Sequence, residues 1–369
     1  MSTNPLLELG RLGQSVWLDD ITREMLDEGL LAALIEHDGV TGLTSNPAIF
    51  AEAMMKDPRY GAAIASLVPS TRTATELFEA LAVDDLRRAA DLFRPAYEKT
   101  DGRDGYVSME VSPHLAYDAR LSVTEACRLW NRLDRPNAMI KIPGTVPGLE
   151  AIRELIASGI NVNVTLLFSP DRYQAAAEAY LSGIEDRLAA GRDVSRVASV
   201  ASFFVSRIDT LVDAQLDELF ARGQPAAKHV RGKAAVACAC RAYEVYTEIL
   251  ASERWQRLQS RGARMQRLLW ASTSTKDPAY SPVKYVDELV APDTVVTIPL
   301  KTLEAYRRLG RPEVLLEHRL AQASDEREAL ERLGIDLEQV ADTLEQEGVR
   351  KFIEPFERLQ RWLEEQRGR

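Results

Sequence analysis

A lysine stands in the middle of an apolar run, NAMIKIPGT at 137–145, and asks for a chemical explanation. Lysine is among the residues least often buried, because its ammonium loses hydration that a core does not replace. Lys141 alternates with Ile140 and Ile142, so if those two side chains pack outward, the lysine points to the opposite face of the strand. Desolvation and neighbouring dipoles there would depress its pKa and supply the neutral amine that attacks a carbonyl to form a Schiff base. A lysine at the strand's rim, snorkelling to solvent, is the plainer alternative.

Imine chemistry needs a group that moves protons while the carbinolamine forms and collapses and while a carbon–carbon bond breaks. A carboxylate or a histidine within reach usually does this. His37, His114, His229 and His318 fall in helical or loop segments and lack the clustered spacing of a metal site, which argues against zinc-dependent carbonyl chemistry. Asp19, in SVWLDD, and Glu110, in GYVSMEV, are the suitable carboxylates. Taken singly, Asp19 or Asp20 could be a helix N-cap, and Glu110 a solvent-facing strand end.

Asn46 precedes Pro47 and fits an N-cap as well as a ligand. Asn163 is harder to explain structurally, because INVNVTLLF is largely apolar and a buried amide without partners is costly. Arg207 lies just past SFFV, near serines that include Ser202, and suits a phosphate, since a guanidinium pairs bidentately with phosphate oxygens. A surface ion pair is its plain alternative. Thr165 and the stretch Ser272 to Ser274 with Lys276 complete the polar set.

These residues meet only if a fold gathers them. Apolar, β-branched runs alternate with longer segments of helical periodicity, as a parallel α/β architecture requires. Eight such runs occur: SVWLDD from Ser15, GVTGLTS from Gly39, GYVSMEV from Gly105, AMIKIP from Ala138, INVNVTLLF from Ile160, VASVASFFV from Val197, LLWASTS from Leu268 and TVVTIP from Thr294. Eight alternations predict a closed (β/α)8 TIM barrel. An open doubly wound sheet would usually show a Gly-rich first turn, and no GxGxxG follows SVWLDD. In a barrel the active site forms at the carboxyl ends of the strands, which is where the polar residues named above fall.

Several helix boundaries are readable. Ser122 to Glu125 has the form of a capping box opening a helix through Leu133, and Ser169 with Pro170 that of an N-cap followed by proline. Gly39 and Gly159 fit left-handed helix stops. The stretches Pro58 to Gly105 and Arg207 to Arg267 exceed a simple crossover and should hold one extra helix apiece. Beyond Arg308 the chain turns charged and helical. The expectation is a single domain over 1–369, with the catalytic barrel at 13–310 and two or three C-terminal helices at 311–369 packed on it. RKFIEPFERLQRWLEEQ is expected to lie across the barrel and partly frame the pocket.

The totals agree with an enzyme of this kind. A net charge of -10 repels polyanions and argues against nucleic-acid or anionic-membrane partners, while leaving room for a local basic pocket for a small phosphate. Cys127, Cys238 and Cys240 are too few and too poorly spaced for a disulfide framework, which fits a reducing compartment. MSTNPLLELG lacks the basic segment and long apolar run of a signal, and no later run has the length of a spanning helix, so the expected location is cytoplasmic. Monomer and homodimer both stay open.

At this point a family resemblance enters. WLD at Trp17 to Asp19, TSNPAIF at Thr44 to Phe50, the Glu110 strand, IKIPGT around Lys141, GINVNVTLLFS at Gly159 to Ser169 and SFFVSRID at Ser202 to Asp209 resemble the transaldolase family. The match runs from about Ser15 to Arg308, and LLWASTSTKDPAYS with LVAPDTVVTIP resembles the family's longer bacterial branch. The resemblance implies a class I aldol transfer with no metal or organic cofactor, moving dihydroxyacetone between sugar phosphates. Sedoheptulose 7-phosphate and glyceraldehyde 3-phosphate would give erythrose 4-phosphate and fructose 6-phosphate.

By the same resemblance Lys141 is the Schiff-base lysine and Asp19 the acid/base at the donor's C4 hydroxyl. Glu110 and Thr165 hold the water of imine formation, Asn46 and Asn163 bind donor hydroxyls, Ser202 and Arg207 bind or orient the phosphate end, and Phe204 lines the pocket. The better-known branch has a second phosphate-binding arginine after the seventh strand. WASTSTKDP offers none, which brings forward Lys276 or Ser272. Competing readings are a fructose 6-phosphate type aldolase using the same lysine, a phosphosugar isomerase or epimerase working without an imine, and a sugar-phosphate binding protein.

Overall fold

A computed structural model describes residues 4–368. Eight parallel strands close into a barrel in chain order. They are β1 Ser15–Asp19, β2 Val40–Thr44, β3 Val107–Glu110, β4 Ala138–Pro143, β5 Val162–Leu167, β6 Ser199–Phe204, β7 Arg267–Ala271 and β8 Val295–Ile298. Ser15 of β1 pairs with Val295 of β8, so no edge is left open. Every expected strand is present. Strands β3 to β8 are buried at all positions, as in a parallel sheet covered on one face by helices and on the other by its own filled interior.

The amino-terminal end of the barrel is plugged by large groups. The Trp17 indole N–H donates to Asp104 Oδ1 at 2.6 Å, and the ring lies over Gly42, where a Cβ would stand 2.5 Å from Trp17 Cε2. Arg267 donates to Ser15 Oγ and to the Thr294 carbonyl, both at 2.7 Å. The polar residues at the other end therefore face a mouth with a solid floor beneath it.

Local signals set most helix ends. Ser169 accepts from the Arg172 N–H and starts the helix Pro170–Ala189, and Gly39 and Gly159 close their helices in the left-handed region. The capping box at Ser122 is not formed. Asp118 lies one turn earlier and accepts from the Leu121 N–H at 2.9 Å, so the helix Ala119–Leu133 is under way before Ser122 is reached. Ser122 then donates to the Leu115 carbonyl, while Glu125 accepts from the Ser112 N–H at 2.6 Å. Thr22, not Asp19 or Asp20, caps the helix after β1.

Arg59–Leu67 and Ala74–Lys99 fill the first long connection as expected. The second holds more than one extra helix: Ser206–Ala221, Ala227–Val230, Ala234–Ala251 and Glu253–Gln259, broken at Gly223, at Gly232 and at the N-cap Ser252. Two helices end the described chain. Leu316–Arg332 packs along Ala234–Ala251, and Leu337–Arg367 runs over Pro47–Lys56, Ala74–Lys99 and β5. Their buried faces, including Leu330, Leu344, Phe352 and Leu363, join the same hydrophobic cluster as the barrel strands. Among the described residues no helix is long and apolar enough to cross a membrane.

Candidate active site

Strand register assembles the chemistry. Glu110 of β3, Lys141 of β4 and Asn163 of β5 are consecutive partners across the sheet, so all three side chains rise at one level on the inner face. Ile140 and Ile142 are fully buried on the outer face, as the alternation requires. The lysine is 4% exposed and so does not snorkel. Its Nζ lies 3.2 Å from Glu110 Oε2 and donates to the Ser45 carbonyl at 3.0 Å. Burial raises the Glu110 carboxyl above its usual range, and the Lys141 charge opposes that shift.

Asp19 approaches from β1. Its Oδ1 accepts from Thr44 Oγ1 at 2.7 Å, and Thr44 Oγ1 lies 2.7 Å from Thr297 Oγ1. A hydroxyl has one proton to give, so Thr297 donates to Thr44 and Thr44 to Asp19. Burial holds the Asp19 carboxyl above the ordinary 3.8, against the pull of Lys141. Two buried carboxyls thus flank one amine, each favouring its protonated form more than in water. That is what a group shuttling protons near neutral pH requires.

A cavity of about 190 Å³ opens above Lys141. Asp19, Asn46, Lys141, Thr165, Ser202, Phe204, Arg207, Ser272 and Lys276 are among the residues that line it, while Glu110 and Asn163 are not. Asn163 bridges two serines, donating through Nδ2 to Ser108 Oγ at 3.0 Å and accepting from Ser202 Oγ at 2.7 Å. Asn46 caps the helix Pro47–Lys56, accepting from the Ala48 and Ile49 N–H groups, and still reaches the cavity. The capping reading is met, and the residue's place in the lining is compatible with a ligand contact as well.

The basic side suits an anion. Nη1 of Arg207 has no hydrogen-bond partner among the described residues, and burial pushes the guanidinium below its ordinary value. The guanidinium carbon lies 5.8 Å from the Phe204 ring centroid. Lys276 donates to Ser274 Oγ at 2.7 Å, and its pKa is lowered by burial and then by Arg207. Two cations close enough to repel each other in one cavity are a ready pair for one phosphate. The Ser272 hydroxyl lies 2.9 Å from that of Ser206, its backbone in the left-handed region at φ 57°.

The profile of the family described as Transaldolase/Fructose-6-phosphate aldolase matches residues 16–363, nearly the whole chain. The chain belongs to that family. Among its curated relatives in the family, "Transaldolase 2" of Nostoc punctiforme is 46% identical over 99% of this chain and 98% of its own length. "Transaldolase" of Trichodesmium erythraeum is 44% identical over the same shares. "Transaldolase" of Acidothermus cellulolyticus is 48% identical over 95% of this chain and 93% of its own.

Family motifs direct attention to the mouth, yet some of its members were missed. Ser108 sits two residues before Glu110 and Thr297 two after Val295, so strand alternation places both on the inner face. Leu166 follows Thr165 in the left-handed region at φ 61°, where the β5–β6 register shifts between Val164 and Leu167; a leucine so placed gives no sequence signal. Phe352 comes from the helix Leu337–Arg367, its ring centroid 5.9 Å from Lys141 Nζ. Only the broad expectation that the C-terminal segment frames the pocket pointed there.

Proposed function

We propose that the protein is a transferase of the pentose phosphate pathway that moves a dihydroxyacetone unit between sugar phosphates while that unit is bound to Lys141 as a Schiff base. The observation that carries this reading is a buried lysine amine beside the Glu110 carboxyl and acting on that of Asp19, in a cavity also lined by Arg207 and Lys276. The relatives' name, transaldolase, agrees with it. A phosphosugar isomerase would need no imine-forming amine.

In this reading Glu110 accepts a proton from the Lys141 ammonium, and the free amine adds to the C2 carbonyl of the ketose phosphate. The carbinolamine loses its hydroxyl as water, with Glu110 and Thr165 holding the departing molecule. Both are suited to it: Glu110 Oε1 and Thr165 Oγ1 have no hydrogen-bond partner among the described residues, and Glu110 Oε2 faces the amine. The Asp19 carboxylate then takes the C4 hydroxyl proton, the C3–C4 bond breaks, and its electrons flow into the iminium to leave an enamine. The shortened aldose phosphate departs.

An acceptor aldose enters, C3 of the enamine attacks its carbonyl carbon, and Asp19 returns the proton to the new hydroxyl. Water and Glu110 free the lengthened ketose. Asn46 and Ser202 orient donor hydroxyls, with Asn163 holding Ser202, and Arg207 and Lys276 take the phosphate. A cytoplasmic site of action fits the three free cysteines.

Borohydride reduction in the presence of fructose 6-phosphate, followed by peptide mapping, tests this. The expected adduct lies on the peptide containing Lys141. A folded, active enzyme without that adduct would refute the imine mechanism. Product analysis separates transfer from simple aldol cleavage: with an aldose phosphate acceptor, transfer product should greatly exceed free dihydroxyacetone.

A further inference from the structure

We propose that Phe352 shields the Lys141-bound enamine from water and thereby sets how much of the three-carbon unit is transferred rather than hydrolysed. This rests on the Schiff-base reading above. Phe352 is 4% exposed, lines the cavity, and brings its ring centroid within 5.9 Å of the reacting nitrogen. A phenyl ring neither gives nor takes a proton. What it contributes beside an otherwise largely polar cavity is volume that water does not occupy and a face that the ammonium favours.

The helix is fastened on both sides of this residue. One turn earlier Gly348 lies so close to Leu166 that a Cβ would stand 2.9 Å from Leu166 Cδ2. One turn later Phe356 packs edge-on against Phe78, centroids 5.5 Å apart, and lies 6.0 Å from the His114 ring. Arg172 reaches Glu345 at 3.5 Å. Removing the Phe352 ring therefore leaves the helix anchored and opens space at the amine, and a water needs only about 30 Å³ of it.

The competition is explicit. In transfer, the enamine carbon bonds to the acceptor's carbonyl carbon, whose oxygen takes the Asp19 proton. In hydrolysis, that carbon instead takes a proton from water or a buffer acid, giving the iminium. Water adds at C2, the C–N bond breaks, dihydroxyacetone leaves with the water's oxygen, and Lys141 departs as the ammonium. Protonation of the enamine carbon is the step peculiar to this loss, and it needs mobile water or acid on the side that Phe352 covers; the addition of water at C2 is shared with normal product release.

The test compares unsubstituted enzyme with Phe352→Ala and Phe352→Leu, using fructose 6-phosphate with and without an aldose phosphate acceptor, and reads free dihydroxyacetone per transfer product. We expect this ratio to rise about 10-fold or more in Phe352→Ala and only about 2- to 3-fold in Phe352→Leu, which keeps most of the apolar cover. Borohydride should trap the adduct on Lys141 in all three. An unchanged ratio in the substituted enzymes, even with slower turnover, overturns the proposal while leaving the imine reading standing. If Phe352→Ala fails to fold, Phe352→Leu decides by the same ratio. Loss of the adduct from the unsubstituted enzyme would instead remove the reading on which the proposal rests.

Discussion

Replacing Lys141 by methionine, of similar length but uncharged, measures what the buried pair is worth. Nζ and Glu110 Oε2 are 3.2 Å apart, with side chains 5% and 3% exposed. At an effective dielectric constant of about 20, that separation corresponds to about 5 kcal/mol of attraction, and breaking a buried pair by removing one partner generally costs about 3–5 kcal/mol. The Ser45 carbonyl also loses its donor. We therefore expect Lys141→Met to abolish turnover and to unfold in urea with about 3–5 kcal/mol less stability at pH 8.

The loss should shrink on acidification. The Glu110 carboxyl is already raised by burial, and without the lysine it rises further. A carboxyl whose folded pKa lies above its unfolded value stabilises the fold below the unfolded value, here the ordinary 4.5, and that contribution is lost as pH rises through the folded value. As pH falls from 8 to 5 the isolated Glu110 takes up a proton more readily in the folded than in the unfolded chain, so Lys141→Met should recover part of its deficit. The double substitution Lys141→Met with Glu110→Met should come within about 1 kcal/mol of the unsubstituted protein at pH 8, since two packed apolar groups need no counter-charge. A Lys141→Met protein as stable as the original at pH 8, or one whose deficit is the same at pH 5, would refute the electrostatic reasoning.

Asp19→Asn should lower turnover roughly 10²- to 10⁴-fold while borohydride still traps the Lys141 adduct, because the amide cannot take the C4 proton; turnover within a factor of two of the original would reject its acid/base role. Arg207→Ala should raise the KM for sugar phosphates about 10- to 100-fold, the worth of a charge-assisted hydrogen bond, and leave an unphosphorylated ketose nearly unaffected. Equal losses on both substrates would count against a phosphate contact. Asp20 is held at about 6 by burial and then by Asp19, against an ordinary 3.8, so its charge disfavours the fold above that range. Asp20→Asn should accordingly gain stability relative to the original as pH rises from 4 to 7, by up to roughly 3 kcal/mol, and a gain that is flat with pH would refute the assignment.

The barrel was legible because each strand is a short, nearly continuous apolar run, and eight of them leave few alternatives to closure. Lys141, Asp19 and Glu110 were legible because charge in such a run is costly enough to need a reason. Asn46 could not be settled from sequence: capping a helix and facing the cavity draw on the same amide at the same strand end. The Ser122 capping box failed for a local reason, since Asp118, one turn upstream, satisfies the helix's free N–H groups first. Phe352 was beyond reach. It lies more than 200 residues from Lys141, and only the path of the helix Leu337–Arg367 brings the two together.

The mouth of the barrel also decides which atoms are left for substrate. Inward side chains at strand ends cannot reach solvent past their neighbours, so each polar group must find a partner there or remain unsatisfied. Asn163 spends its amide on Ser108 and Ser202, and Thr297 and Thr44 pass a hydrogen bond to Asp19. Those residues hold others in place. Thr165 Oγ1, Glu110 Oε1 and Arg207 Nη1 have no hydrogen-bond partner among the described residues; Thr165 and Arg207 line the cavity, and Glu110 stands beside the Lys141 amine. A stable core does not leave such groups unpaired without reason, since each costs about 1–3 kcal/mol or more. In the proposed mechanism their placement divides the labour: Glu110 and Thr165 would serve the water of imine formation, and Arg207 the phosphate. Asp19, already oriented by Thr44, would be left in that mechanism to move one proton at C4.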